Sequence, residues 1–366
     1  MKKIILAGVA AALAIACAEK PEEKSMHTLF VGTYTDGDSE GIYTYTFDAN
    51  TGELSNQKLA AKLTNPSYLA ISDDKKNLYA VQETADFDSL GGGVTAFSLK
   101  KDVLKLQNSM GTQGAHPCHV SLSGDGYLAV ANYTGGNVAL FSLNTDGSLA
   151  DEPQIIDHKK LDSVKTSHAH MAQFNVDGLM VTDLGLDAIK RYTQQGDSFV
   201  PTEQASIPFE DGAGPRHFTF GKGGQLLYVI NELNSTISVL EKDVDGKYDE
   251  IQVVSTLAAD FDGESFCADI HLSPDGKFLY GSNRGENTIV IFEVDGNSGQ
   301  LELVGRESVH GDWPRNFSMD PTGEFLLVAN KKTSNIAIFK RDGQQGKLTF
   351  LNEVEHPNPV CLVFLD

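Results

Sequence analysis

Residues 212–240, GAGPRHFTFGKGGQLLYVINELNSTISVL, decide the fold. The stretch opens on a Pro215-Arg216-His217 tip, followed by a short apolar strand over 218–220. A Gly-rich turn at 221–224 leads to a second apolar strand, 226–230, which ends in Asn231-Glu232. A third segment, 236–240, alternates apolar and polar residues as a half-buried strand does. The first two strands make a hairpin, so Arg216 and Glu232 fall together at its open end.

The same pattern recurs along the chain. Turns equivalent to Gly223-Gly224 occur at Asp74-Lys75, Asp125-Gly126, Asp177-Gly178, Asp275-Gly276 and Thr322-Gly323, about 46 to 52 residues apart, a period of propeller blades. Each follows a strand with a distinctive tip: NPSYLAIS from Asn65, HPCHVSLS from His116, SHAHMAQF from Ser167, CADIHLS from Cys267 and WPRNFSM from Trp313. A seventh tip strand, NPVCLVFL from Asn358, ends the chain without a hairpin partner. LFVGTYT from Leu29 and GIYTYTF from Gly41 form a second and third strand with no first strand before them. These complementary halves predict an all-β, seven-bladed β-propeller whose C-terminal strand completes the N-terminal blade. A linear solenoid would need polar caps instead.

Composition agrees. The chain has 366 residues, 35 of them Gly, and little helical periodicity. A formal charge of −21 argues against nucleic acid as a partner. There is no phosphate-cradling Gly loop leading into a helix.

The N-terminus reads as a separate segment. Lys2 and Lys3 precede a thirteen-residue, largely apolar run, 4–16, that stops at Cys17. That run is too short for a permanent span, and its charged start and small residues fit a secretory signal. It resembles a bacterial lipoprotein signal, with Ala14 where Leu is more usual. The expected organisation is a signal over 1–17 with a lipidated Cys17, a tether over 18–27 and the propeller over 28–366. The protein would then be exported to the cell envelope and meet a membrane only through that lipid. Cys118, Cys267 and Cys361, an odd number at strand positions, read as buried small residues rather than disulfide partners.

Propeller geometry brings the tips and the ends of the second strands to one mouth, where a rigid scaffold presents loop residues for function. Six of the ten histidines lie on first-strand segments: His116, His119, His168, His170, His217 and His271. Of six arginines, Arg216 and Arg315 are at tips and Arg284 follows a second strand. Second-strand ends supply Glu83, Asn132, Asp183, Asn231-Glu232, Asn283 and Asn330. Repeated Asn and His can simply hydrogen-bond blade loops. The Arg, His and Glu combinations differ from blade to blade, however, and cations on one rim of an acidic protein point to an anionic substrate or transition state.

His168 and His170, at i and i+2 of a strand, would share one face. A metal there would need a third ligand such as Asp183 or Glu232; hydrogen-bonding or acid/base use is the preferred reading, with no metal. No G-x-S-x-G elbow is present, and Cys118 has only His119 beside it to activate a thiol.

Ser167-His168-Ala169-His170, Gly214-Pro215-Arg216-His217 with Asn231-Glu232-Leu233, Ser282-Asn283-Arg284-Gly285 and Trp313-Pro314-Arg315 together resemble the seven-bladed lactonase family. Its members include bacterial propeller-type 6-phosphogluconolactonases and a fungal carboxy-cis,cis-muconate lactonizing enzyme. The resemblance spans about residues 28–366 and implies catalytic roles for His168, Arg216, Glu232 and Arg284, without a cofactor. His116, His119, His170, His217, Asp269 and Arg315 would bind substrate. Asp269 stands where the family more often shows Glu, and an export signal departs from its cytoplasmic members.

The expected activity is hydrolysis of a sugar lactone, 6-phosphogluconolactonase-like, by acid/base-assisted attack of water. With export, an unphosphorylated lactone becomes a stronger substrate expectation. Two alternatives stand beside it: lactonisation of an unsaturated dicarboxylic acid, and a non-catalytic cell-surface propeller that binds a ligand or protein. Between His168 and Glu232, the sequence does not choose a base.

Overall fold

In the computed structural model, described over residues 25–150 and 152–365, seven four-stranded antiparallel sheets form a ring. The first blade combines Pro359–Leu365 with Met26–Thr33, Gly41–Asp48 and Glu53–Lys62. The other six follow in order over 69–111, 117–157, 169–208, 215–255, 266–308 and 314–355. Leu29 pairs with Phe364 and with Tyr45, so the C-terminal strand closes the first blade as expected. The ring strand begins at Met26 rather than Thr28, because Met26 already pairs with Asp48. The expected signal, Cys17 and most of the tether lie outside the described residues.

The core is divided seven ways. Each of seven apolar clusters lies between two neighbouring blades rather than inside one. One unites Leu29, Tyr45 and Phe47 of the first blade with Phe325, Leu327 and Ile336 of the seventh. This follows from the alternating strands: a sheet has two faces, and both are covered only by adjacent sheets. Tyrosines of second strands add repeated cross-blade bonds. Tyr79, Tyr228 and Tyr280 donate to the carbonyls of Gly147, Gly299 and Gly346 at 2.7, 2.9 and 2.8 Å.

The first strand of each blade adjoins the first strands on either side and lines the channel. Six of these strands shift register just after the tip. In the fifth blade Pro215 pairs with Asn231 but His217 with Ile230, so Arg216 is an extra residue in a β-bulge. Cys118, His170, Arg315 and Val360 occupy the same place in their blades. A bulge re-aims side chains and twists the strand end. Repeated in five blades, it turns one residue of each toward the channel mouth.

Candidate active site

Two concentric sets of side chains build the mouth. The inner set comprises the bulge residues Cys118, His170, Arg216, Arg315 and Val360, with Ser67 from the second blade. Ser67, Cys118, Arg216, Arg315 and Val360 line a narrow pocket of about 10 Å³, floored by Tyr68 and His217. The outer set consists of residues at the ends of the second strands: Tyr34, Glu83, Tyr133, Glu232 and Lys331 directly follow theirs, and Arg284 is the last residue of its own.

Glu232 ties the fifth and sixth blades together: its Oε2 lies 2.8 Å from Arg216 Nε and 2.9 Å from Arg284 Nη2. Arg216 is 1 % exposed, and its Nε–H makes no hydrogen bond because it is not aimed at the nearby carboxylate oxygen. Arg216 Nη1 donates to the Ala268 carbonyl, and Arg284 donates to the carbonyls of Phe266 at 3.2 Å and Cys267 at 2.9 Å. Burial pushes the Glu232 carboxyl up, but the Arg284, Arg216 and Arg315 guanidiniums overcome this and hold it below its ordinary value. Burial, partly offset by Glu232, lowers Arg284 to about 10.

Across the mouth, Glu83 accepts from Tyr34 at 2.8 Å and from Ser67, with Arg315 Nη2 at 3.6 Å. Arg315 and Lys331 both lie over the Tyr34 ring, at 5.3 and 5.0 Å. Three guanidiniums therefore share two carboxylates, and the surplus positive charge makes an anion site.

His168 stands between these groups. Its ring stacks on Tyr133 at 4.6 Å, and its Nδ1 lies 3.2 Å from the Tyr133 carbonyl. A carbonyl only accepts, so Nδ1 carries the proton and, in the neutral ring, Nε2 holds a free lone pair. The backbone N–H of His168 donates to Asp183 at 2.8 Å. Asp183 is itself fixed by His158 at 2.8 Å and Ser167 at 2.5 Å.

The structure thus brings His168, Arg216, Glu232, Arg284 and Arg315 to one mouth and places the other expected residues elsewhere. His116, with φ of 55°, turns its ring to Thr134 of its own blade at 2.9 Å and does not join the cluster. His119 and His217 lie inside the channel, while His170, at the bulge place, packs against the Tyr133 ring at 5.5 Å; all three are almost wholly buried, with His217 centred 5.7 Å from His119 and 5.2 Å from His170. Burial, with Arg216 and His217 nearby, holds His170 well below its usual value. His119 shifts the same way through burial and His217. Asp269 is also a channel residue, with both oxygens occupied by His217, His271, Asn316 and backbone N–H groups. A direct substrate contact is closed to it. His168 and His170 do not share a strand face as expected: His168 precedes the strand and the bulge turns His170 inward. Among the described residues no group of three metal-ligating side chains converges.

The second-strand Asn residues serve the blades. Asn132, Asn283 and Asn330 donate to the carbonyls of Thr112, Thr256 and Val309 at 3.1, 3.1 and 2.9 Å. Tyr34 and Tyr133 escaped the sequence reading, although each directly follows such a second strand. Trp313, with φ of 69°, is a bulky residue in left-handed backbone, held between Arg284 at 5.3 Å and Lys332 at 3.6 Å. A larger depression, about 540 Å³ between turns of the third and fourth blades, lies far from these groups and is lined by residues such as Gly124, Asp125 and Val176.

Fold and site together define a seven-bladed β-propeller with a cationic, histidine-bearing mouth. The chain belongs to the seven-bladed β-propeller lactonase family, whose profile, "Lactonase, 7-bladed beta-propeller", matches residues 28–364. It is 40 % identical over 346 residues to a 6-phosphogluconolactonase of Bacillus subtilis, covering 92 % of this chain and 97 % of that one. A 6-phosphogluconolactonase of Formosa agariphila is 36 % identical over 313 residues, covering 80 % and 86 %. Among solved structures, a periplasmic gluconolactonase of Pseudomonas aeruginosa superposes with a TM-score of 0.88 at 35 % identity, over 93 % of this chain and 99 % of that one.

Proposed function

We propose that this protein hydrolyses a sugar lactone at the mouth. The observation that carries this reading is the cluster at the mouth: three guanidiniums, Arg216, Arg284 and Arg315, share the carboxylates of Glu232 and Glu83. Guanidiniums in surplus over their carboxylates can stabilise negative charge that develops only during reaction.

His168 Nε2 takes a proton from water as its oxygen attacks the lactone carbonyl carbon. The carbonyl electrons move onto oxygen, and Arg216 and Arg284 hold the oxyanion. When the ring C–O bond breaks, the His168 imidazolium returns its proton to the leaving alkoxide, giving the open-chain acid. Arg315 and Lys331 hold an anionic or polar end of the substrate. Glu232, already charged and shared by two guanidiniums, is a weak base; it fixes the arginines. The relatives' names support a sugar lactone as the substrate class.

The test is hydrolysis of δ-gluconolactone and 6-phosphogluconolactone by residues 18–366, against Arg216→Ala and Glu232→Gln. Turnover above the spontaneous rate in the parent, lost in both folded variants, supports the reading. Rates equal to the uncatalysed reaction in all three overturn it, and unsaturated diacids would then be tried.

Export belongs to the same proposal, supported by the periplasmic relative and the N-terminal sequence. Residues 1–17 act as the signal and Cys17 carries the lipid. Mass spectrometry of the membrane fraction should find diacylglyceryl-modified Cys17, absent in Cys17→Ser.

A further inference from the structure

A line of hydrogen bonds runs down the channel from the mouth to the opposite face. Arg216 Nη1 lies 3.4 Å from His217 Nε2. His217 Nδ1 is 2.8 Å from Asp269 Oδ1, and Asp269 Oδ2 is 3.0 Å from His271 Nε2. The first three residues are at most 4 % exposed. His271 opens to a chamber of about 290 Å³ at the far end, walled by Gln173, Thr219 and Phe220.

The chemistry of these partners fixes every proton. Arginine only donates, so His217 Nε2 must be a lone pair; a carboxylate only accepts, so His217 Nδ1 must carry hydrogen. His217 is therefore the neutral Nδ1–H tautomer. Burial and the adjacent Arg216 charge favour the same state, lowering His217 to about 4 against the pull of Asp269. Asp269 cannot turn away, because Asn316 Nδ2 donates to it at 2.6 Å and the backbone N–H groups of Ile270 and Phe317 at 3.1 and 3.3 Å. Asn316 in turn accepts from the Leu362 N–H at 2.7 Å, so four inner strands hold this carboxylate in place.

We propose that His217, its tautomer set by Asp269, is a positioning residue that orients the Arg216 guanidinium from below. With Nη1 held by His217 Nε2 and the Ala268 carbonyl, and with Glu232 beside Nε, the guanidinium plane is fixed from both sides. This rests on the lactonase reading given above. It assigns to His217 and Asp269 a role through Arg216 instead of substrate contact.

Three substitutions separate the two hydrogen bonds of His217. In His217→Gln the amide oxygen reaches the Nε2 position and still accepts from Arg216. In His217→Asn the amide nitrogen reaches the Nδ1 position and still donates to Asp269, but the acceptor is gone. His217→Phe keeps only the ring. With either lactone as substrate, kcat should fall about 3-fold in Gln and about 30-fold in Asn and Phe, with KM within about 2-fold throughout. Equal losses in all three variants, or an Asn variant as active as Gln, would overturn the proposal. A purely structural role would follow the Asp269 contact and favour Asn. Nitrogen NMR of the His217 ring in the unaltered protein is independent of folding in any variant and of catalysis. An Nδ1–H tautomer at neutral pH supports the assignment, and an Nε2–H tautomer defeats it. If the parent shows no turnover, the lactonase reading fails while the tautomer still decides this one.

Discussion

His168 Nδ1 lies 3.2 Å from the main-chain carbonyl of Tyr133, a residue of the neighbouring blade. That bond between blades leaves Nε2 as the basic nitrogen, which is why the proposed mechanism takes His168 rather than Glu232 as base. His168→Ala should lower kcat by about 10² to 10⁴-fold, the usual worth of a positioned acid/base group, with little change in KM. Steady-state kinetics on both lactones check this.

Gly185 guards the same side chain. A Cβ there would come 1.8 Å from the Thr166 carbonyl oxygen and 2.9 Å from His168 Cδ2. Gly185→Ala should push the 166–168 segment aside and reduce kcat at least about 10-fold, while circular dichroism stays that of the parent. An unchanged kcat would show that His168 need not sit where it does.

Removing Glu232 strands two guanidiniums. Breaking a buried ion pair by deleting one partner costs about 3–5 kcal/mol, and the half-shielded setting of Glu232 places this case toward the low end. Glu232→Leu should lower the denaturation midpoint clearly, while Glu232→Gln, which keeps one acceptor oxygen, should lower it less. Denaturant titration of both variants measures the difference.

The channel histidines make stability fall on mild acidification. His119, His170 and His217 are held below their ordinary values, so between that value, about 6.5, and their folded values the unfolded chain binds more protons. Each such group costs about 1.4 kcal/mol per pH unit in that window. His271 has the opposite sign: burial lowers it, but Asp269 more than restores it, so its contribution is complete below about 6.5 and disappears as pH rises through its raised value. The melting temperature should drop from pH 6.5 to 5, and His271→Gln should lower it throughout that range without changing the slope. A flat profile over that range would contradict this account of the channel.

Trp313 is the only tryptophan in the chain and lies against Arg284. Titration with 6-phosphogluconate should shift its emission, and the shift should vanish in Arg284→Ala. No change on saturation would separate Arg284 from ligand binding.

Much of this was legible in the sequence because repetition is a strong signal. Turns at a steady period and two incomplete end repeats specify the ring, and varied residues at like positions mark the mouth. What the repeats concealed was depth. Arg216 and His217 are adjacent in sequence, yet a bulge sends Arg216 to the mouth and leaves His217 in the channel against Asp269. A bulge is a change of register between strands and has no residue signature of its own in the tip sequence. The second-strand Asn residues are structural, as repeated Asn can be, and it is the residue after the Asn that stands at the mouth. Tyr133, beside Asn132, illustrates this.

The second strand of every blade runs toward the mouth, and Met26–Thr33 is the second strand of the first blade. The chain therefore enters the ring from the underside, where Met26 pairs with Asp48. Anything joined upstream of residue 25 pulls on the floor of the ring and leaves the mouth facing outward. With about 3.5 Å of reach per residue, the eight steps from Cys17 to residue 25 allow a leash of at most roughly 28 Å. A molecule held this way stands on a membrane like a bowl on its base, open to whatever diffuses past.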